Sequence, residues 1–256
     1  MDTQAQHAER DRSSEPDAGA EEGSRFSRTR ARFAAALSWR RVLAGSVLAA
    51  AVLLLVSSWV VQPFLIPSGS MEPTLKVGDR LLVNKLAYRF GAEPERGDVV
   101  VFDGTGSFVR EEPDADPVAG LARRAAASLG LAEPADSDFV KRVVGVGGDR
   151  VVCCDARGRL AVNGTVVDEP YLHPGDTASR VPFAIVVPAG TLWMMGDHRS
   201  RSSDSRDHLG SPGGGMVPVE RVTGRVDWLG WPPARTGSTP GTDAFADVPA
   251  PGAAHG

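Results

Sequence analysis

Asp138-Phe139-Val140-Lys141-Arg142-Val143-Val144-Gly145-Val146-Gly147-Gly148-Asp149 is a valine-rich apolar run closed by a Gly-Asp turn. Valine is stiff at χ1 and suits the pleated, half-buried surface of a strand, so the run reads as a core strand. The same pairing of a Gly-Asp turn with an apolar strand occurs upstream in Gly78-Asp79-Arg80-Leu81-Leu82-Val83-Asn84-Lys85 and in Arg96-Gly97-Asp98-Val99-Val100-Val101-Phe102. Downstream, Val151-Val152-Cys153-Cys154, Arg159 to Gly164, Val166-Val167, Phe183 to Val187, Leu192 to Met195 and Val217 to Leu229 read as further short strands joined by turns. With 29 Gly and 19 Pro in 256 residues, the composition favours many turns over a helical bundle. The expected fold class is all-β, mainly antiparallel.

Lys141 is the anomaly inside that strand. One reading is a snorkelling or edge-strand lysine. The other is a buried amine that burial keeps neutral, flanked by Phe139, Val140, Val143 and Val144 and able to act as a base. A lysine base needs a nucleophile, and Pro67-Ser68-Gly69-Ser70-Met71-Glu72-Pro73-Thr74-Leu75 offers one. Gly69 allows a tight turn before Ser70, and Pro67 and Pro73 stiffen it. On an extended segment Ser68 and Ser70 point to one side, so Ser70 could attack a carbonyl while Ser68 helps hold the oxyanion. An ordinary surface loop is the alternative.

Ahead of that turn, Val42 to Val61 carries no charge. As a helix it would reach about 30 Å, enough to span a bilayer core. A cleaved secretory signal competes with this reading, but its apolar part is ordinarily only about 7–15 residues. Arg25, Arg28, Arg30, Arg32, Arg40 and Arg41 precede the span without an acidic residue between them, which predicts a cytoplasmic N-terminus and everything after the span outside. No zinc-finger spacing or aromatic interleaving accompanies these arginines, so nucleic acid is not an expected partner. The expected organisation is a cytoplasmic tail over 1–41, disordered at its acidic start, a transmembrane helix over 42–61, an extracytoplasmic domain over 62–232 with an insertion at 104–137, and a loose, disordered tail over 233–256. Gly120 to Leu129 is expected to form a short helix within the insertion.

Gly196-Asp197-His198-Arg199-Ser200-Arg201-Ser202-Ser203-Asp204-Ser205-Arg206-Asp207 is the densest polar run. By composition it is a solvated loop; it could also supply Ser202 to Lys141, with an Asp204–Arg206 ion pair fixing the loop.

Together, the serine turn, Gly78-Asp79 through Lys85, Lys141-Arg142-Val143-Val144-Gly145 through Asp149, and Gly196-Asp197 through Arg206 resemble a type I signal peptidase of the actinobacterial kind. The resemblance covers most of Phe64 to Arg225. It implies Ser70 as nucleophile, Lys141 as general base, Ser68 as oxyanion donor beside the Ser70 N–H, and Ser202 as the hydroxyl that orients the lysine. It implies that Phe64 to Pro67 and Asp138 to Val140 flank a substrate peptide lying as an added strand, with Phe64, Ile66, Met71, Phe139 and Val140 around small pockets and cleavage after Ala-x-Ala. Substrates would be the signal peptides of exported preproteins, cut at the plasma membrane by a single-pass enzyme, with membrane lipid and the export machinery as further partners. The reaction requires no metal or cofactor. His198, where the family usually has Asn, and Arg201 are departures.

Two other classes remain open on the sequence. A Ser-His-Asp hydrolase could use His198 or His208, although no Gly-x-Ser-x-Gly elbow occurs. A non-catalytic, membrane-anchored β module would make Ser70 and Lys141 coincidental. A soluble Ser-Lys self-cleaving repressor fits neither the span nor the lack of a DNA-binding helix-turn-helix. Cys153 and Cys154 are expected on opposite faces of a strand and not to be catalytic; a disulfide between neighbours would be strained.

Overall fold

The computed structural model describes residues 39–56, 59–110, 126 and 137–251. Its first element, helix α1 (Trp39–Val56), is long and apolar enough to cross a membrane by length and composition. The uncharged run does not stay helical to its end, because strand β1 (Val61–Leu65) has already begun at Val61. Hydropathy does not mark that boundary: an apolar helix and an apolar edge strand look alike to it.

Among the described residues the strands that follow pair antiparallel in two sheets, with short 3-10 helices at Arg199–Arg201, Val219–Arg221 and Pro233–Arg235. The larger sheet runs β1, β2 (Arg80–Asn84), β11 (Val222–Trp231), β3 (Val99–Asp103), β4 (Asp138–Val146), β9 (Thr191–Met195), β10 (Val217–Pro218), with β12 (Gly237–Ser238) paired to β11. A smaller sheet runs β7 (Thr165–Val167), β6 (Leu160–Val162), β5 (Arg150–Cys153), β8 (Phe183–Val186). Pro63 sits in β1 opposite Leu82; β1 is an edge strand, where the missing N–H of proline breaks no ladder.

β4 is central, and its two edges are used unequally. Val99 to Asp103 pairs with its whole first half, whereas β9 pairs only from Arg142 to Val146. Phe139 and Val140 therefore have a strand on one side only among the described residues. Alternation splits the core between the faces of the sheet. Val140 joins Phe64, Ile66, Met71, Leu75, Leu81, Val83 and Val101 in one apolar cluster, while Phe139 packs with Phe102 and Phe108 on the other side.

Four sequence expectations need correction or limits. The segment from Pro233 read as a loose tail, yet Phe245 and Val248 are buried in the cluster around the smaller sheet. Arg96 donates to Val248 O and Pro249 O, and Asn163 to Pro249 O. Pro, Gly and Thr mark irregular backbone, not the absence of packing, and two well-placed apolar side chains suffice to seat it. Residues 111–125 and 127–136, including nearly all of the expected Gly120–Leu129 helix, lie outside the described residues. The start of that expected insertion is part of the fold: Phe108 meets Phe102 edge-on at 5.3 Å. Cys153 and Cys154 are joined to one another as a disulfide, with Cys153 buried in β5.

Candidate active site

The serine turn is held from three directions. Met71 and Leu75 anchor it in the apolar cluster, and its far end is clamped by Arg235, which pairs with Asp79 and donates to Thr74 O at 3.0 Å. The third hold is the polar loop, whose His198 N–H donates to Ser70 O at 3.1 Å. Gly69 does not have a left-handed φ; a Cβ there would meet only the Glu72 carboxyl, at 3.3 Å. The glycine the geometry requires is Gly196. A Cβ added to it would lie 2.3 Å from Ser202 Oγ and 2.5 Å from Ser70 O, so the loop and the serine turn close on its bare face.

The turn presents Ser70 to β4. Lys141 Nζ donates to Ser70 Oγ at 2.8 Å, and both residues are buried. When the amine is neutral the same contact can run the other way, with the hydroxyl donating. Ser68 Oγ lies 3.4 Å from Ser70 Oγ. The sequence-predicted pocket residues Phe64, Ile66, Met71 and Val140 fall in one cluster. Pro67 is exposed beside them, and the Phe139 ring stands 6.0 Å from Lys141 Nζ.

Burial is what sets the state of Lys141. It pushes the amine down to about 8, against the pull of Asp204 and Asp197 and with the help of Arg206. Asp204 is prevented from pairing with the lysine by its other partners: Arg206 takes both oxygens at 2.8 Å, and the Gly196 N–H donates to it at 3.0 Å. Burial would raise the Asp204 carboxyl, but Arg206, the Gly196 N–H and the nearby Ser202 hydroxyl hold it below the ordinary carboxylate value. Ser202 Oγ is buried with no hydrogen bond of normal geometry, so the structure does not bond it to Lys141.

Neither histidine considered for a Ser-His-Asp arrangement faces the Ser70 hydroxyl. His198 Nδ1 is 3.2 Å from Gly69 O, and His208 Nε2 is 3.2 Å from Ser203 Oγ. A separate cleft lined by Lys85, Tyr88, Glu93, Thr191 and Glu220 contains neither Ser70 nor Lys141.

Sequence reading missed the supports of this centre. Arg142 makes a bidentate pair with Asp197 at 2.9 and 2.7 Å, and Asp197 also accepts from Thr74 in the serine turn. Arg199 pairs with Glu169. A charged Arg142 inside an apolar strand was a visible signal that a buried carboxylate had to lie opposite it, but nothing local says which one.

Comparison with known proteins identifies the family. A family model described as signal peptidase, peptidase S26, matches residues 39–231. The chain is 38% identical over 221 residues to a probable signal peptidase I of Mycobacterium leprae, covering 75% of this chain and 76% of that one. It is 37% identical over 245 residues to a signal peptidase I of Mycobacterium tuberculosis, covering 87% and 83%. A probable signal peptidase I-2 of Synechocystis is 32% identical over 195 residues, covering 75% and 74%.

Proposed function

The chain belongs to the signal peptidase family, peptidase S26, and we propose from that membership and from the geometry that it is a serine endopeptidase that removes signal peptides from exported preproteins with Ser70 and Lys141 as its dyad. The observation that carries the dyad is the 2.8 Å contact between Ser70 Oγ and a buried Lys141 amine. A serine hydroxyl needs a base within hydrogen-bond reach, and an amine brought to about 8 keeps a neutral fraction of roughly a tenth to a fifth near physiological pH, far more than an ordinary lysine. Neutral Lys141 takes the Ser70 proton as Oγ attacks the scissile carbonyl. The ammonium so formed then protonates the leaving amine, and a water activated by the same lysine releases the acyl group.

Ser68, beside Ser70, and the Ser70 N–H serve as oxyanion donors. Ser202, packed against Gly196 and next to Asp204, turns its hydroxyl to the amine and orients it when substrate excludes water. The Asp204–Arg206 pair holds the loop that carries it. The side of β4 at Phe139 and Val140 that no described strand pairs with receives the substrate as an added strand, with Phe64 to Pro67 on its other side. Small residues one and three before the cut meet the apolar cluster of Phe64, Ile66, Met71 and Val140, which favours Ala-x-Ala. Helix α1 anchors the enzyme in the plasma membrane, with the arginine-flanked N-terminus cytoplasmic and the β domain outside. Membrane lipid and the export machinery are its surroundings.

The test is cleavage of a preprotein by the full chain in detergent, with the product N-terminus sequenced. The expected result is a cut after Ala-x-Ala, lost in Ser70→Ala and blocked when the residue before the cut is Phe. Efficient processing of the Phe substrate would count against the pocket assignment, and activity in Ser70→Ala against the nucleophile.

A further inference from the structure

Beside the serine turn, three side chains that the dyad does not use come together. Glu72, His173 and His198 each bring one donor atom within 4.8 Å of the other two. They belong to three segments: the serine turn, the connection between β7 and β8, and the polar loop. Backbone bonds lock those segments to one another, with His173 N–H donating to Asp197 O at 3.0 Å and His198 N–H to Ser70 O at 3.1 Å.

Each imidazole has its Nδ1 beside a backbone carbonyl. His173 Nδ1 faces Pro174 O at 3.1 Å and His198 Nδ1 faces Gly69 O at 3.2 Å. When each Nδ1–H donates to its carbonyl, each Nε2 is left as a lone pair, which is how carbonyls orient metal-binding histidines. The rings are stacked, with centroids 3.8 Å apart, and the Glu72 carboxylate stands 3.9 Å from His198 Nδ1, so a shared ion requires the half-buried His173 ring to turn out of the stack until its in-plane lone pair converges with that of His198. Asp176, which accepts the Ser200 N–H, adds a second negative charge near both rings.

We propose that Glu72, His173 and His198 form a binding site for one divalent transition-metal ion, zinc best of all, which clamps the serine turn to the polar loop. Two imidazoles and a carboxylate are a ligand set that zinc favours, and a fourth position is left for water. A tetrahedral zinc ion with bonds of about 2.0–2.2 Å holds its donors roughly 3.4 Å apart. The widest edge of the triad must therefore close by up to about 1.4 Å, through movement of the half-buried Glu72 and His173 side chains. Ser70 and Lys141 lie outside the ligand set, so the site is separate from the peptidase chemistry and does not depend on it.

The experiment uses the untagged full chain in detergent, stripped with a chelator and titrated with Zn²⁺ by calorimetry and with Co²⁺ by visible absorption. We expect one saturable ion per chain, a Tm that rises with Zn²⁺ as ligand linkage requires, and the strong visible bands of tetrahedral Co²⁺. His173→Ala should weaken Zn²⁺ binding at least about tenfold, no less than the loss of an outer-shell partner costs, and should remove the Tm rise while metal-free cleavage continues. Glu72→Gln keeps the ring stack and should give the same loss of binding. Absence of saturable binding to the parent chain, or undiminished affinity in either variant, overturns the site.

Discussion

Lys141 and Arg142 are adjacent cations on one strand, both buried, and the two faces of β4 treat them in opposite ways. Arg142 finds a full complement of partners: a bidentate Asp197, the carbonyl of Gly97 at 2.8 Å, and the Tyr171 ring at 4.0 Å. Burial works against its charge, but Asp197 more than offsets that and holds the guanidinium above its ordinary value. Lys141 gets a hydroxyl and no carboxylate of its own, because Asp204 is taken by Arg206. The first arrangement makes a permanent charge that supports the fold; the second makes a charge that the site can shed. A buried cation is thus left able to shed its proton through the pairing of its neighbours as much as through its own depth.

The sharpest way to break the comparison is to exchange the two roles. Lys141→Ala should lower kcat for peptide cleavage by about 10²–10⁴-fold, the usual contribution of a positioned acid–base group, and Lys141→Arg should not rescue it because a guanidinium stays charged. Substantial turnover in Lys141→Ala would sink the Ser-Lys mechanism. Arg142→Met should instead act on the fold, leaving Asp197 buried without its cation at a cost of about 3–5 kcal/mol, read as a large fall in Tm. Were Arg142→Met to keep its Tm and lose only activity, the contrast drawn above would be wrong.

A smaller effect tests the lysine from the side of stability. Its folded value, about 8, lies below the ordinary 10.5. Below pH 8 the amine is charged in both states, and burying it penalises folding in full. Between 8 and 10.5 the unfolded chain binds the proton and the folded one does not, so stability rises with pH; above 10.5 the penalty is gone. Lys141→Met should accordingly stabilise the enzyme by ~1–3 kcal/mol below pH 8, a gain that shrinks toward pH 10.5 in denaturant titrations run across that range. A gain independent of pH would assign the effect to packing.

The smallest expected change is at His198. His198→Ala should leave intact the rise of activity through about pH 8, the value of the Lys141 amine, because the amine alone titrates in the reaction. It should lower the rate only modestly, through the loop that carries Ser202. Loss of the rising limb in His198→Ala, measured as kcat against pH, would reassign the base.

Local chemistry was enough to determine much of this protein from its sequence. Apolar runs beside Gly-Asp turns marked β2, β3 and β4, the last two valine-rich, since side-chain preference is expressed within a few residues. Lys141 and the proline-flanked Ser70 stood out as candidates for the same reason, each being odd against its own neighbours, and the structure brings them into contact at 2.8 Å. What only the tertiary structure decided are the pairings across long separations. Arg142 meets Asp197, Arg235 reaches back to Asp79, Phe245 and Val248 close the core of the smaller sheet, and Glu72 meets His173 and His198. No local pattern encodes these, because any buried charge accepts any suitable counter-charge, any apolar gap accepts a side chain of the right size, and the order of strands in the sheets alone selects which residues arrive.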